Sequence, residues 1–336
     1  MQLKAAAPVA ERPLNEVDLP VPEPGEGEVL VRVTVCGLCR TDLHVIEGEL
    51  PDPTLPLTPG HQVVGRVESC GPGCERIRPG DRVGIAWLRH TCGGCEYCRS
   101  GRENLCPGSR YTGYHADGGY AEFAVVHEDF AYAIPDCFED AEAAPLLCAG
   151  IIGYRALRRA AVPTGGRLAL YGFGSSAHVV IQLALHRGNE VHVATRGESH
   201  RALATELGAA WTGAAYDLPP VPVDSAIIFA PVGAMVPVAL RAVGPGGTVV
   251  SAGIHMSAIP EMPYEECVFH EKVLTSVEAN TREDGRELLA EAAEIPIRPR
   301  VTTFSLDEAN EALAQLKQDG FDGTGVLAVG ASPVRS

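Results

Sequence analysis

The sequence predicts a two-unit α/β-plus-β chain. A β-rich unit spans residues 1–149 and is completed by 290–336; a second unit with a doubly wound parallel sheet spans 150–289. Three observations carry this class. Between about residues 27 and 135, short Val-rich runs alternate with Gly and Pro, the pattern of a many-stranded, turn-rich sheet. From Ala141 onward, short apolar runs alternate with helical stretches, which makes a parallel sheet with helices on both faces. A Gly-rich turn joins the first strand of that second half to its first following helix. At 336 residues the chain is too long for one simple core and ample for two.

Taken in order, EVLVRVTV (28–35), VVGRVES (63–69), DRVGIAW (81–87) and YAEFAVV (120–126) carry β-branched residues between turn signals and read as strands. AEAAPLLCAGIIGYRALRRAAV (141–162) is rich in Ala and Leu and reads as helix. RLALYGFG (167–174) is a buried strand ending in glycines, and AHVVIQLALHRG (177–188) is a helix stopped by Gly188. EVHVAT (190–195), SAIIFA (225–230) and GTVVSAG (247–253) are further strands. SHRALATELGA (199–209) and VGAMVPVALRAV (232–243) are further helices. The tail adds VTTFSL, the helix DEANEALAQLKQDG and GVLAV. It is short for a third domain and is expected to return to the first.

Hydrophobic residues make up 46% of the chain and charged residues 21%, with no apolar run near the eighteen or so residues that span a bilayer. The N-terminal stretch has no apolar leader core, so a cytoplasmic, membrane-free protein is expected. The net charge of −16 argues against nucleic acid as a partner, since such binding needs a basic face.

Four of the eleven cysteines fall in TCGGCEYCRSGRENLC (91–106), spaced C-x2-C-x2-C-x7-C. They could be disulfides, redox thiols or metal ligands. Disulfides are rare in the cytosol, and this chain is far larger than disulfide-built scaffolds. Four thiolates at this spacing fill a tetrahedral zinc sphere, so Cys92, Cys95, Cys98 and Cys106 are expected to hold a closed, structural zinc.

Gly172-Phe173-Gly174-Ser175-Ser176-Ala177 is a G-x-G-x-x-A turn between a strand and a helix. Gly172 allows the tight turn and Gly174 lets backbone approach a pyrophosphate. The small Ala177 lets helix and strand pack closely. A dinucleotide is therefore expected there, its phosphates at the helix N-terminus. NAD sites carry an acid at the end of the second strand. Here that strand ends Thr195-Arg196-Gly197. Arg196 suits a 2′-phosphate, so NADP is favoured over NAD, with Arg201 or His200 as possible helpers and a solvated Arg196 as the bland reading.

Three further places put Cys or His beside strand ends or in the following helical stretch: CGLCRTDLH (36–44), PGHQVVG (59–65) and LLCAG (146–150). Singly each is weak, because a free Cys is usually a small buried hydrophobe. Together with PGDRVG (79–84), the four-cysteine loop, GGYAEF (118–123) and the Gly-rich turn, they occur in the order found in zinc-dependent medium-chain alcohol dehydrogenases. The chain resembles that family over essentially its whole length. The resemblance implies a GroES-like catalytic domain, a Rossmann domain and an active site in the cleft between them. It implies that Cys39, His61 and Cys148 hold a second, catalytic zinc with one position left open, as chemistry requires. It implies that Thr41 takes the substrate proton, that His44 is the outer end of the relay, and that Asp42 orients His61. Arg40 is implied to contact the cofactor pyrophosphate. The expected reaction is hydride transfer between an alcohol/aldehyde or ketone pair and a nicotinamide cofactor. The expected assembly is a homo-oligomer, a dimer or tetramer.

Two departures from the family stand out. Gln62 follows His61 where the family usually has Glu, and Asp322-Gly323-Thr324-Gly325 occupies a stretch where Arg is frequent. Trp87, Tyr111 and Tyr114 are expected either to line the substrate pocket or to pack in the core. Cys36, Cys70, Cys74, Cys137 and Cys267 read as ordinary thiols. The alternative readings are a zinc-independent quinone or enoyl reductase of the superfamily, and a non-catalytic zinc- and nucleotide-binding protein on the same fold.

Overall fold

The structure is a computed structural model, and it describes residues 1–295, 297–321 and 323–329. The elements that frame the site are, in chain order, β1 (Glu28–Gly37), α1 (Arg40–Ile46), β2 (Gln62–Cys70), β3 (Arg82–Ile85), β4 (Phe123–His127), β5 (Ala131–Ala133) and α2 (Asp140–Pro145). Next come α3 (Ile151–Ala160), β6 (Arg167–Tyr171), α4 (Ser175–His186), β7 (Glu190–Ala194), α5 (Glu198–Glu206) and β8 (Trp211–Gly213). They are followed by β9 (Val223–Ile228), α6 (Met235–Ala242), β10 (Val243–Ser251) and β11 (Val273–Ser276). The last are α7 (Arg282–Glu294), β12 (Val301–Ser305), α8 (Ala309–Lys317) and β13 (Thr324–Ala328).

The chain divides into two compact units. The first holds 1–148, 279–294 and 298–336, and the second holds 149–278 with 295–297. The return to the first unit thus comes at Ala279, where the sequence placed it at 290. Helix α7 is the reason. Its Arg282 grips Glu103, and Gly285 lies where a Cβ would strike the Tyr132 ring at 2.4 Å.

The first unit is built on a seven-stranded sheet ordered β12-β13-β1-β2-β3-β5, with β4 also pairing with β1. Strand β1 exposes Arg32 and Thr34 and sends Val29, Val31 and Val33 inward in alternation; an irregularity in its pairing with β2 between Val33 and Val35 shifts the phase, so Cys36 joins them in the core with Leu43, Ile46, Val63 and Ile85. That alternation is the period of a strand with one face buried. Strand β13 pairs antiparallel with the end of β1, Val326 opposite Gly37, and β12 lies parallel outside it at the sheet edge. This pairing pins the C-terminal end of β1, from which Cys39 follows. Gly330 to Ser336 and Asp322 lie outside the described residues.

In the second unit all six strands are parallel, ordered β8-β7-β6-β9-β10-β11. The chain winds outward from β6 to β8, then restarts at β9 on the other side. The order therefore reverses between β6 and β9, and in open parallel sheets a ligand crevice forms at such a switch beyond the strand C-termini. The Gly-rich turn leaves β6 at that point.

The predicted helix 141–162 is broken. Pro145 ends α2, a widened π turn runs over Leu146–Gly150, and α3 follows. Proline lacks the donor that a regular helix needs, and Gly150 weakens the helix further. Single π turns are frequent at functional sites, and Cys148 sits in this one.

Candidate active site and metal centres

The first unit gathers three ligand atoms from distant sequence. Cys39 caps α1. Its Sγ accepts the Thr41 amide at 3.2 Å, and the Asp42 carboxylate accepts the Cys39 amide at 2.8 Å, so sulfur plays the part of a capping hydroxyl. His61 lies between Gly60 and β2. Gly60 has φ 97°, and a Cβ there would fall 2.3 Å from the Tyr120 ring, so this turn requires glycine. The other oxygen of Asp42 pairs with His61 Nδ1 at 3.1 Å, both side chains being buried. That contact turns Nε2 toward Cys39 Sγ, 3.2 Å away, and Cys148 Sγ lies 3.9 Å from Cys39 Sγ.

The ligand atoms of Cys39, His61 and Cys148 all lie within 4.8 Å of one another. Two sulfurs each about 2.3 Å from a tetrahedral zinc would stand about 3.8 Å apart, so the donor set fits zinc in both spacing and chemistry. A carboxylate behind the histidine is the usual outer support of such a ligand.

Electrostatics agree with a site built for a cation. The Cys39 thiol is held well below its ordinary range by its hydrogen bond with Cys148 and by His61, against the opposing effect of burial. Burial pushes the His61 imidazole down, but Asp42 and Cys39 outweigh it and hold it well above its usual value. Cys148 is pushed well up by the Cys39 hydrogen bond and by burial. Burial also raises the Asp42 carboxyl, with His61 opposing. The side chain of Gln62, the residue after His61, is fully buried with neither of its polar atoms partnered within the protein.

Around the trio stand Thr41, Asp42 and His44, all on α1. Thr41 is almost buried and His44 is partly exposed. His44 Nδ1 is paired with Glu49, a residue that sequence reasoning did not select. Trp87 packs edge-on against His61, ring centroids 4.9 Å apart, and stacks with Tyr111 at 4.9 Å and Tyr114 at 5.8 Å. Arg40 extends from the start of α1 to Asp319, 2.5 Å away. Thr324 is buried in β13, its amide bonded to Arg300 O at 3.0 Å.

Cys92, Cys95, Cys98 and Cys106 form the other cluster, their Sγ atoms also within 4.8 Å of one another. Gly93 takes φ 66°, which folds the first knuckle back, and Cys95 begins the short helix Glu96–Arg99, setting Cys95 and Cys98 Sγ at 3.5 Å. Backbone amides and the Cys106 thiol lower Cys92 to about 6, whereas burial and Cys95 raise Cys98 to about 11. The loop is fastened through Glu103, which takes the Arg282 backbone amide at 2.8 Å and its guanidinium at 2.8–3.1 Å. Arg282 lies 179 residues away in sequence, and nothing local in the sequence marks it.

In the second unit Gly172 takes φ 89° and its amide bonds Ala194 O at 2.8 Å. Nothing lies within 4 Å of a Cβ built on Gly174, so the space before α4 is open. Ala177 is fully buried against the sheet. Ser175, Ser176 and Ala177 form the first turn of α4, and the N–H groups of a helix's first turn point outward from its end, which is the property that binds phosphate. Thr195 is buried at the end of β7 and Arg196 is exposed. Arg201 donates to the carbonyls of both, each at 3.0 Å. The turn thus carries two guanidinium groups; no acid ends β7 itself, and Glu198, the first residue of α5, stands 3.9 Å from Arg201.

Residues 25–136 match the family model of the alcohol dehydrogenase GroES-like domain, and 177–294 match that of the zinc-binding dehydrogenases. A protein described as probable alcohol dehydrogenase AdhA, from Mycobacterium tuberculosis, is 51% identical over 98% of this chain and 96% of its own. Among solved structures, a cinnamyl alcohol dehydrogenase of Sorghum bicolor superposes with a TM-score of 0.89 at 27% identity, covering 100% of this chain and 99% of the other. A zinc-binding dehydrogenase of Sinorhizobium meliloti bound to NADP superposes at 0.83, with 30% identity over 92% and 94% of the two chains. An acetophenone reductase of Geotrichum candidum in complex with NAD superposes at 0.82, with 26% identity over 93% and 92%. The chain belongs to the zinc-binding alcohol dehydrogenase family, with a GroES-like domain and a Rossmann domain, and is an NAD(P)-dependent alcohol oxidoreductase.

Proposed function

We propose that the protein oxidises an alcohol, or reduces the matching aldehyde or ketone, at a catalytic zinc held by Cys39, His61 and Cys148. A second zinc, on Cys92, Cys95, Cys98 and Cys106, serves the structure alone. The observation that carries this reading is the three-ligand set of one histidine and two cysteines beside a separate, closed four-thiol set. Three protein ligands leave a position for substrate; four do not.

Zinc, when bound, acts as a Lewis acid that eases loss of the substrate hydroxyl proton. The chain does the rest. Asp42 fixes the ring of His61 through Nδ1. Thr41, two residues after Cys39, receives the proton at its hydroxyl. His44 takes it outward by way of the nicotinamide ribose, and Glu49 steadies the ring as it becomes charged. Arg40 meets the cofactor pyrophosphate, which otherwise rests on Gly172, Gly174 and the α4 amides of Ser175, Ser176 and Ala177. Thr195 and Arg196 face the adenosine ribose. The lack of a strand-end acid favours NADP, with Arg196 on its 2′-phosphate.

The protein works as a homo-oligomer in the cytosol. Strand β11 is the outer strand of the parallel sheet, with Val273 and Leu274 exposed, and an exposed apolar edge is a template for pairing with a second chain. Among the described residues no helix is long and apolar enough to cross a membrane.

The test is alcohol oxidation followed at the nicotinamide absorbance, before and after chelation and zinc restoration. Activity that falls with chelation and returns with zinc is expected. Full activity in metal-free protein would remove the catalytic-zinc reading.

A further inference from the structure

We propose that Asp319 is a positioning residue that tethers Arg40 and competes with the cofactor phosphates for it, easing cofactor release. The proposal rests on the reading of Arg40 as a pyrophosphate contact. It starts from two charges that local chemistry does not explain. Helix α8 ends in a full Schellman turn: Gly320 N bonds Gln315 O at 2.8 Å and Asp319 N bonds Leu316 O at 3.4 Å. Asp319 holds the left-handed position of that turn, φ 54°, where glycine is the undemanding choice. A carboxylate also opposes the negative end of the helix dipole. Arg40 is the mirror case: it is the first residue of α1, where the dipole favours an acid.

Each charge is thus misplaced on its own helix, and the two meet at 2.5 Å. The helices are already joined by Lys317 and Glu47, at 2.7 and 2.8 Å, so the Arg40–Asp319 pair is not needed to dock them. Both of its side chains are half exposed, 50% and 55%. The pair is therefore weak and open to exchange. Asp319 cancels part of the charge that a pyrophosphate would meet, and it holds the guanidinium when no phosphate is present.

Asn and Gly both tolerate the left-handed conformation, so Asp319→Asn and Asp319→Gly remove the carboxylate without disturbing the turn. Titration with NADPH and NADH by nicotinamide fluorescence reads the result, alongside Arg40→Gln. At low ionic strength we expect both Asp319 variants to bind cofactor about two- to five-fold more tightly, the range of an exposed ion pair. The gain should vanish near 1 M salt, where charges are screened within about 3 Å; a merely structural effect would not move with salt. Arg40→Gln should bind more weakly. If it does, and the Asp319 variants bind no more tightly than wild type, the tether is wrong and the Arg40 contact stands. If Arg40→Gln binds as tightly as wild type, the Arg40 contact is wrong and the tether falls with it.

Discussion

Asp42 holds two parts of the trio at once, one oxygen on the Cys39 amide and the other on His61 Nδ1. An amide cannot accept in both directions, so Asp42→Asn must break one contact. We predict a ten- to hundred-fold loss of zinc affinity at that site, the usual effect of an outer support, measured by chelator competition. His44 tests the relay. His44→Ala should slow alcohol oxidation about a hundred-fold near neutral pH, within the range of a lost general base. The deficit should narrow as pH rises and hydroxide takes the proton directly. A pH-independent deficit would place His44 outside the proton path. Cys39, His61 and Cys148, whose candidate ligand atoms the fold brings within 4.8 Å of one another, were picked out with Thr41 and Asp42 because their short motifs occur in the family's order. Glu49 and Asp319 were not, since each acts through a partner that only folding brings near.

At the scale of elements, two glycines of one turn should fail differently. Gly172 has φ 89° and a Cβ there would meet Ala230 at 3.0 Å, so Gly172→Ala should cost about 1–2 kcal/mol of stability. Gly174 has open space instead. Gly174→Val should fold normally and bind cofactor at least ten-fold more weakly, because the side chain fills the room left for phosphate. Equal cofactor affinity in wild type and Gly174→Val would contradict that placement. The four-cysteine loop depends on Glu103. Burial pushes its carboxyl up, but the Arg282 hydrogen bonds outweigh this and hold it below its ordinary value. A depressed folded pKa gives stability that is present above the usual carboxyl range and lost as pH falls through the folded value. Glu103→Gln should therefore destabilise by about 1–3 kcal/mol at pH 7, and thermal melts of the two proteins should converge once pH falls below the ordinary glutamate range and through the lowered folded value. Sequence periodicity found most strands and helices. It read 141–162 as one helix, because a π turn leaves no mark on an Ala- and Leu-rich pattern beyond Pro145 and Gly150. It passed over β8 and β11, too short to carry a period.

At the scale of the whole molecule, the alternation of strands and helices identified the parallel sheet, and the Val-rich runs identified the β-rich unit. The place of residues 279–289 was not legible, because it depends on side chains such as Arg282 meeting a loop far away in sequence. Cofactor choice also belongs to this scale. NADPH should bind at least ten-fold more tightly than NADH, and Arg196→Ala should remove the difference; tighter NADH binding would show that the β7 end is not a phosphate site. An open and a closed zinc site in one unit, with separate duties, would show in the metal count. The direct measurement is metal content per chain, set beside alcohol oxidation, for wild type and Cys39→Ser, since serine keeps the helix cap but is a poor zinc ligand. Two zinc ions are expected in wild type and one in the variant, with activity lost and the fold retained. Two zinc ions and full turnover in Cys39→Ser would contradict this.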